Sequence, residues 1–244
     1  MLGNYVNTIT IIIGSLLGLL VHKGLKEEYK IIVMQAIGLS VLFIGATTAI
    51  GGLLDPDSEP ILFIISLVIG GVVGELVGLE KGLEKVGMSL QRMVTSDVQK
   101  SEHSEHNVAR GFVTASLIFC VGTMAIIGSL ESGLRGNYDM LFAKSVLDGV
   151  TSMILASTLG IGVIFSAGMV FLYQGAIILF AGSLEPFLTV NVIREISIIG
   201  GILILGIGLS MMEIKKIKTV NLLPAIFVPV IYYFVVIPML RLFS

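Results

Sequence analysis

The sequence predicts an all-α bundle of about eight transmembrane helices, and three observations predict it. Apolar residues make up 55% of the chain, charged residues only 13%, and the mean hydropathy is +1.00. Soluble domains carry roughly 25% charged residues, so this chain cannot coat a water-facing surface and its main solvent is lipid. Apolar runs also recur along all 244 residues. Most can cross a hydrocarbon core of about 30 Å, which takes about 20 helical residues at 1.5 Å each. Finally, Lys and Arg gather in a few connections between the runs, as loops on one side of a membrane do.

The first run, 3–21, has no basic residue before it and no small-residue cleavage site after it, so it reads as a retained span and not a secretory signal. Further runs fall at 31–54, 60–79, 111–130, 140–165, 168–183, 196–212 and 221–240. In the first, Gly14 and Gly18 share a face; in the third, Gly70, Gly74 and Gly78 do. Such grooves let helix backbones approach and gain dispersion contacts where lipid supplies little hydrophobic drive. They serve packing within one chain or a seam between copies, and the expectation is a homo-oligomer. The stretch 148–182 is ambiguous: one overlong span, or two broken near Ser166, Ala167 and Gly168, the second short and either tilted or re-entrant. Pro224, Pro229 and Pro238 should bend the last span, because each removes a ladder hydrogen bond.

Positive charge decides the count. Lys23, Lys26 and Lys30 follow the first run; Lys81, Lys85, Arg92, Lys100 and Arg110 mark the 80–110 connection; Lys215, Lys216 and Lys218 follow the seventh run. Asp55, Asp57 and Glu59 lie in a connection without a base. With eight spans the basic connections share one face, which makes 80–110 cytoplasmic and both termini external. The chain reads as one integral membrane domain, 1–244. Two internal echoes suggest a repeat. Ser40 to Gly45 with Leu62, Ser66 and Gly70 resembles Ser116 to Gly122 with Leu141, Ser145 and Gly149, a parallel relation. Gly38 and Gly45 against Gly201 and Gly208 link spans of opposite direction.

Within the cytoplasmic connection, Leu79, Leu83, Val86, Leu90, Met93 and Val98 recur as on an amphipathic helix lying on the membrane surface. The Ser101-Glu-His-Ser-Glu-His106 repeat carries imidazole and carboxylate, yet with no apolar residue it reads as a solvated linker, and no metal is expected. Cys120 is the only cysteine, which excludes internal disulfides and thiolate-rich zinc sites. A net charge of −2 with scattered basic residues excludes nucleic-acid binding as a main function. The implied partners are the lipid bilayer, a small solute or ion, and a second copy of the chain; no cofactor is implied.

Ionisable residues inside the spans are the sharper functional clue, because charge in hydrocarbon demands a partner or a wet cavity. Lys144 and Asp148 are four residues apart on the fifth span and can pair. Thr151, Ser152, Ser157 and Thr158 follow, with Gly160 and Gly162 able to loosen the helix. Glu75 lies beside the glycine seam of the third span, and Asn4, Asn7, Gln35, Thr47, Thr48, Tyr173, Gln174 and Asn221 complete a polar inventory able to line a path. In the competing structural reading, Lys144 and Glu75 snorkel to the interfaces and the amides bond between helices.

The run GFVTASLIFCVGTMAIIGSLESGLRGNYDMLFAKSVLDGVTSMILASTLGIGVIFSAG, followed by Tyr173-Gln174-Gly175, resembles the YdfK/YqgA-like family of bacterial inner-membrane proteins. Asn7 with IIIG, then MQAIGL, and NLLPA from Asn221 to Ala225 extend the resemblance over nearly the whole chain. It implies a polytopic membrane protein with no assigned substrate or catalytic residue. The family's recurring polar positions fall here on Asn7, Glu75, Lys144, Asp148, Ser152, Tyr173, Gln174 and Asn221.

Three function classes follow. A transporter or channel accounts for intramembrane charge and glycine-broken helices. A structural or regulatory membrane protein would act through the amphipathic segment. An enzyme fits worst, since His22, His103 and His106 lie in loops or at a membrane edge and no paired-histidine zinc motif occurs.

Overall fold

The computed structural model describes residues 1–24, 27–82, 102–120 and 123–242, with positions 85 and 89 between. Among the described residues all regular secondary structure is helical. α1 spans Leu2–Gly24, α2 Glu27–Leu53, α3 Pro60–Val77, α4 Glu102–Cys120, α5 Thr123–Leu134, α6 Asp139–Leu159 and α7 Gly162–Leu179. A single turn, α8 (Ala181–Leu184), precedes α9 (Val190–Met211). A terminal helix then runs as 3-10 over Thr219–Phe227, α over Val228–Ile231, π over Tyr232–Val236 and α over Ile237–Leu242. Its three prolines each withhold a ladder donor, and the helix answers by changing pitch.

Seven of these helices are long and apolar enough to cross a membrane; α4 and α5, bent by 60° at their junction, make an eighth when taken as one span. The packing directions require that they be taken so. Side chains added at Gly3, Gly14 and Gly18 of α1 would meet Leu141, Gly149 and Met153 of α6 in rising order, so these helices are parallel. With α2 and α3 crossing between them, one further crossing is needed before α6, and α4–α5 supplies it. Gly38, Gly45 and Gly52 of α2 oppose Met212, Gly201 with Leu205, and Ile198, so α2 and α9 are antiparallel. Gly70 and Gly74 of α3 oppose Ala225 and Asn221 of the terminal helix, again antiparallel. Gly111 and Gly133 lie on Gly162 and Ile178, so α4–α5 runs parallel to α7. All four relations agree with eight crossings.

Glycine makes these pairs because bare backbone lets two helices meet without hydrophobic drive. α9, 78% buried, is the enclosed centre of the bundle. The Gly38–Gly45 and Gly201–Gly208 echo thus has a packing cause: the two glycine rows are facing halves of one seam. The grooves that suggested a homo-oligomer are likewise used within the chain, Gly14 and Gly18 against α6, Gly70 and Gly74 against the terminal helix. Gly78 is no packing residue. It has φ +70° with open space around it, and it ends α3 as a left-handed cap whose N–H bonds the Gly74 and Glu75 carbonyls.

Other expectations are corrected. The break between the fifth and sixth spans falls at Gly160, with φ +73°, not at Ser166–Gly168, which lie inside α7. Only a residue lacking Cβ takes that backbone freely, and Gly162 then starts α7 against the Val108 carbonyl of α4. The sixth span is therefore 18 residues long, and neither short nor re-entrant. The fourth, expected to be continuous, is the broken one. Glu102 to His106 is helical backbone opening α4, not a linker. The amphipathic pattern from Leu79 to Val98 falls mostly outside the described residues, as do the side chains of His22, His103 and His106.

Candidate functional site

The parallel α1–α6 pair builds the site. On α1, Gly3, Asn7, Gly14 and Gly18 lie on the face turned to α6, so the seam that brings the backbones together also delivers the Asn7 amide. On α6, one helical turn separates Lys144 from Asp148, and Lys144 Nζ lies 2.8 Å from both Asp148 Oδ1 and Oδ2. Asn7 Nδ2 donates to Asp148 Oδ2 at 3.0 Å and to Gln174 Oε1 of α7 at 3.4 Å. Asn4 Nδ2 donates to the Phe171 carbonyl of α7 at 3.0 Å. Lys144 and Asp148 are 6% and 5% exposed, and Asn4, Asn7 and Gln174 are sealed. Asp148 sits nine residues into α6, about 13 Å along its axis, deep in the span.

This network is incompletely satisfied. Among the described residues, Asn4 Oδ1, Asn7 Oδ1 and Gln174 Nε2 are buried without a partner. Each such atom costs about 1–3 kcal/mol when dry and unpaired, and buried polar groups are otherwise nearly always bonded. Two acceptors and a donor in the amide network that joins the ion pair through Asn7 therefore mark a place for water or a polar guest.

The remaining candidates divide. Ser152 Oγ donates to the Gly149 carbonyl at 2.8 Å and lies under Gly14, so it belongs to the seam. Tyr173, one residue from Gln174, points about 100° away around the helix, toward Cys120 and an apolar cavity. Glu75 and Asn221 form a separate cluster where α3 ends: Glu75 takes Lys218 Nζ at 2.8 Å and Asn221 Nδ2 at 2.6 Å, and Asn221 Oδ1 accepts the Glu80 N–H. The Glu75 and Lys218 side chains are more than half exposed. The hydrogen bond and charge of Glu75 hold the Lys218 ammonium above the ordinary lysine range. What the pair adds to stability is thus fully present below that ordinary range and is lost as pH rises through the raised value. Glu75→Gln is expected to lower the thermal midpoint only slightly at neutral pH, with variant and wild type converging in strongly alkaline buffer.

A third cluster is not apparent in the apolar runs. Glu195 is fully buried; its Oε1 accepts the Glu59 N–H at 3.0 Å and lies 3.8 Å from Arg194 Nε, while Oε2 has no partner among the described residues. Arg194 bonds Asp55 at 3.1 Å, and Tyr233 of the π segment donates to Glu59 at 3.4 Å. One signal pointed to it: Thr189, whose side chain caps α9 by accepting from the Val192 N–H, starts the helix at Val190 and places Glu195 inside.

The model of a family described as "Protein of unknown function (DUF554)" matches residues 2–234. The chain belongs to the DUF554 family. Within DUF554-type proteins, it is 42% identical over 237 residues to the "Uncharacterized membrane protein YdfK" of Bacillus subtilis (strain 168), covering 97% of each chain. It is 28% identical over 225 residues to the "Uncharacterized protein YqgA" of Escherichia coli (strain K12), covering 92% of this chain and 93% of that one. No solved structure matches the chain. The similarity to a relative named as a membrane protein and the seven to eight helices able to cross a bilayer together make it a polytopic membrane protein.

Proposed function

We propose that the chain is a small-solute or ion transporter or channel whose charged centre is Asp148. One observation carries this reading: a sealed ion pair deep in the span, bonded by Asn7 and linked through it to Gln174, in a network where three amide atoms have no partner among the described residues. A purely structural pair gains little from such surroundings, because desolvating two charges offsets most of their attraction. In the proposed path Asp148 exchanges Lys144 for a cation or proton, and the freed ammonium reorients toward the unpartnered amide oxygens. The competing reading, a structural or regulatory protein, is favoured by one fact: every bond of Lys144 and Asp148 closes within the bundle.

A ligand that binds only the folded state raises its melting midpoint by mass action. The purified protein, screened against sodium, potassium and lithium salts at constant ionic strength, is expected to show a midpoint rise for one cation that Asp148→Asn abolishes. Equal responses of wild type and variant would favour the structural reading.

The proposed setting is the cytoplasmic membrane with 80–110 inside and both termini outside, on the strength of the three basic connections. Reporter fusions at residue 100 and at the C-terminus are expected to report opposite sides. Finding them on one side overturns the orientation.

A further inference from the structure

At the end of the bundle where α9 stops and α4 starts, a cavity of about 400 Å³ lies between these two helices and the turn that leads into the terminal helix. Ser210, in the last turn of α9, builds its rim. The Ser210 carbonyl accepts Arg110 Nη2 of α4 at 2.8 Å, and Ser210 Oγ accepts the Ile217 N–H at 3.0 Å, so one residue holds both the guanidinium and the end of the turn. Glu213 stands in that turn at φ +59°, the only non-glycine residue with positive φ among the described residues. The Ile214 N–H bonds the Leu209 carbonyl at 3.2 Å around it, which is the helix ending that glycine suits best. A glutamate at this position costs stability, and it brings a carboxylate into the lining that holds Arg110.

The lining carries charge of both signs and an apolar patch. Arg110 is half-buried, forms no salt bridge among the described residues, and spends one of its five donors on Ser210. Thr114 follows one helical turn later and so shares that face of α4. Its hydroxyl makes no hydrogen bond among the described residues, yet it is not one of the sealed unbonded atoms, so it is open to the cavity that Thr114 lines. Lys216 adds a second cation, Glu213 and Glu80 supply two carboxylates, and Val113, Ile207 and Val220 form the apolar patch. A simple anion or cation meets both attraction and repulsion in such a lining, whereas a zwitterion with an aliphatic substituent answers all of its parts. Glu213 and Lys216 are the exposed members of the described lining, and every apolar member is buried or half-buried. The cavity therefore opens to water and not to hydrocarbon, and its guest is a free solute.

We propose that this cavity binds a free aliphatic α-amino acid, its carboxylate on Arg110 and Thr114, its ammonium toward Glu213 and its side chain against Val113, Ile207 and Val220. Arg110 suits the first role because its planar fork can take a carboxylate by two bonds. The volume lies in the range that encloses one small molecule. The site shares no residue with the Asp148 network and stands whether or not Asp148 carries a cation.

Calorimetric titration of the full chain, held in phosphatidylglycerol nanodiscs, with leucine tests this. Saturable binding is expected. 4-Methylpentanoic acid, which lacks the ammonium, and 3-methylbutylamine, which lacks the carboxylate, should each bind more weakly than leucine. Arg110→Gln keeps a donor for the Ser210 carbonyl but removes the charge, and is expected to weaken leucine about ten-fold, the share of one charged hydrogen bond. Glu213→Gly should raise the melting midpoint, since glycine takes this backbone freely, while weakening leucine about three-fold and leaving 4-methylpentanoic acid unchanged. It remains the test if Arg110→Gln fails to fold. Purely structural roles for Arg110 and Glu213 predict the same changes in stability with no change in leucine affinity, and that result overturns the proposal. So does absent leucine binding, or equal binding of the acid or the amine. Leucine binding that vanishes when the discs contain phosphatidylethanolamine would make the occupant a lipid headgroup and likewise overturns it.

Discussion

Lys144→Met is expected to destabilise the folded bundle by about 3–5 kcal/mol, the usual cost of stranding one member of a buried ion pair. Lys144 provides two contacts of 2.8 Å to Asp148, and only the Asn7 amide remains to the carboxylate once the ammonium is gone. Asp148→Asn should cost far less. Lys144 lies five residues from the start of α6, and its long stem lets the ammonium move toward the headgroups. The short Asp148 side chain has no such escape. Lys144→Met with Asp148→Leu should recover most of the loss, because the hydrophobic pair leaves no charge unpaired. Equilibrium unfolding of the four proteins in one detergent checks the order. If the single and double variants are equally unstable, the two residues do not act as a pair.

The second large effect is expected at Gly14. A Cβ there would strike the Gly149 carbonyl oxygen and Ser152 Oγ, and a backbone carbonyl cannot step aside as a flexible side chain can. Gly14→Leu should therefore force α1 from α6 and cost about 3 kcal/mol or more. It should also carry Asn7 away from Asp148, so that it is non-additive with Asp148→Asn. Gly168→Ala is the control: nothing lies within 4 Å of a Cβ at that position, and no loss is expected. A Gly14→Leu protein as stable as wild type would show that the α1–α6 seam is not a close one.

Much of this was legible in the chain. Lengths of apolar runs mark the spans because a helix must satisfy its own backbone in lipid, and the basic connections fix their parity. The Lys144–Asp148 pair follows from one spacing of four. What sequence could not fix was which face met which helix. Asn7 and Gln174 stood in the polar inventory beside Glu75 and Asn221, yet the first two bond each other where Asn7 meets Asp148 and the others cluster with Lys218. Adjacent Tyr173 and Gln174 part company for the same reason. The glycine rows showed close approach but not its partner. Glu195 was missed because averaged hydropathy starts the seventh span at Ile196, six residues after α9 begins, and counts Arg194 and Glu195 as a solvated flank. The fourth span looked continuous because its apolar run carries on through Val121 and Gly122, whereas Gly160 is a break that backbone freedom explains.

The central claim, that Asp148 is the charged centre of a permeation path, is tested most directly by flux. Wild type, Asp148→Asn and the Lys144→Met with Asp148→Leu double variant would be reconstituted at equal density into liposomes holding fluorescent indicators for protons, sodium and potassium, and a gradient of each cation imposed in turn. The account predicts flux of one of these cations through the wild type, and none above empty liposomes through either variant, although the double variant is well folded. Flux at the wild-type rate through the folded double variant would contradict it and leave Lys144 and Asp148 as a structural pair.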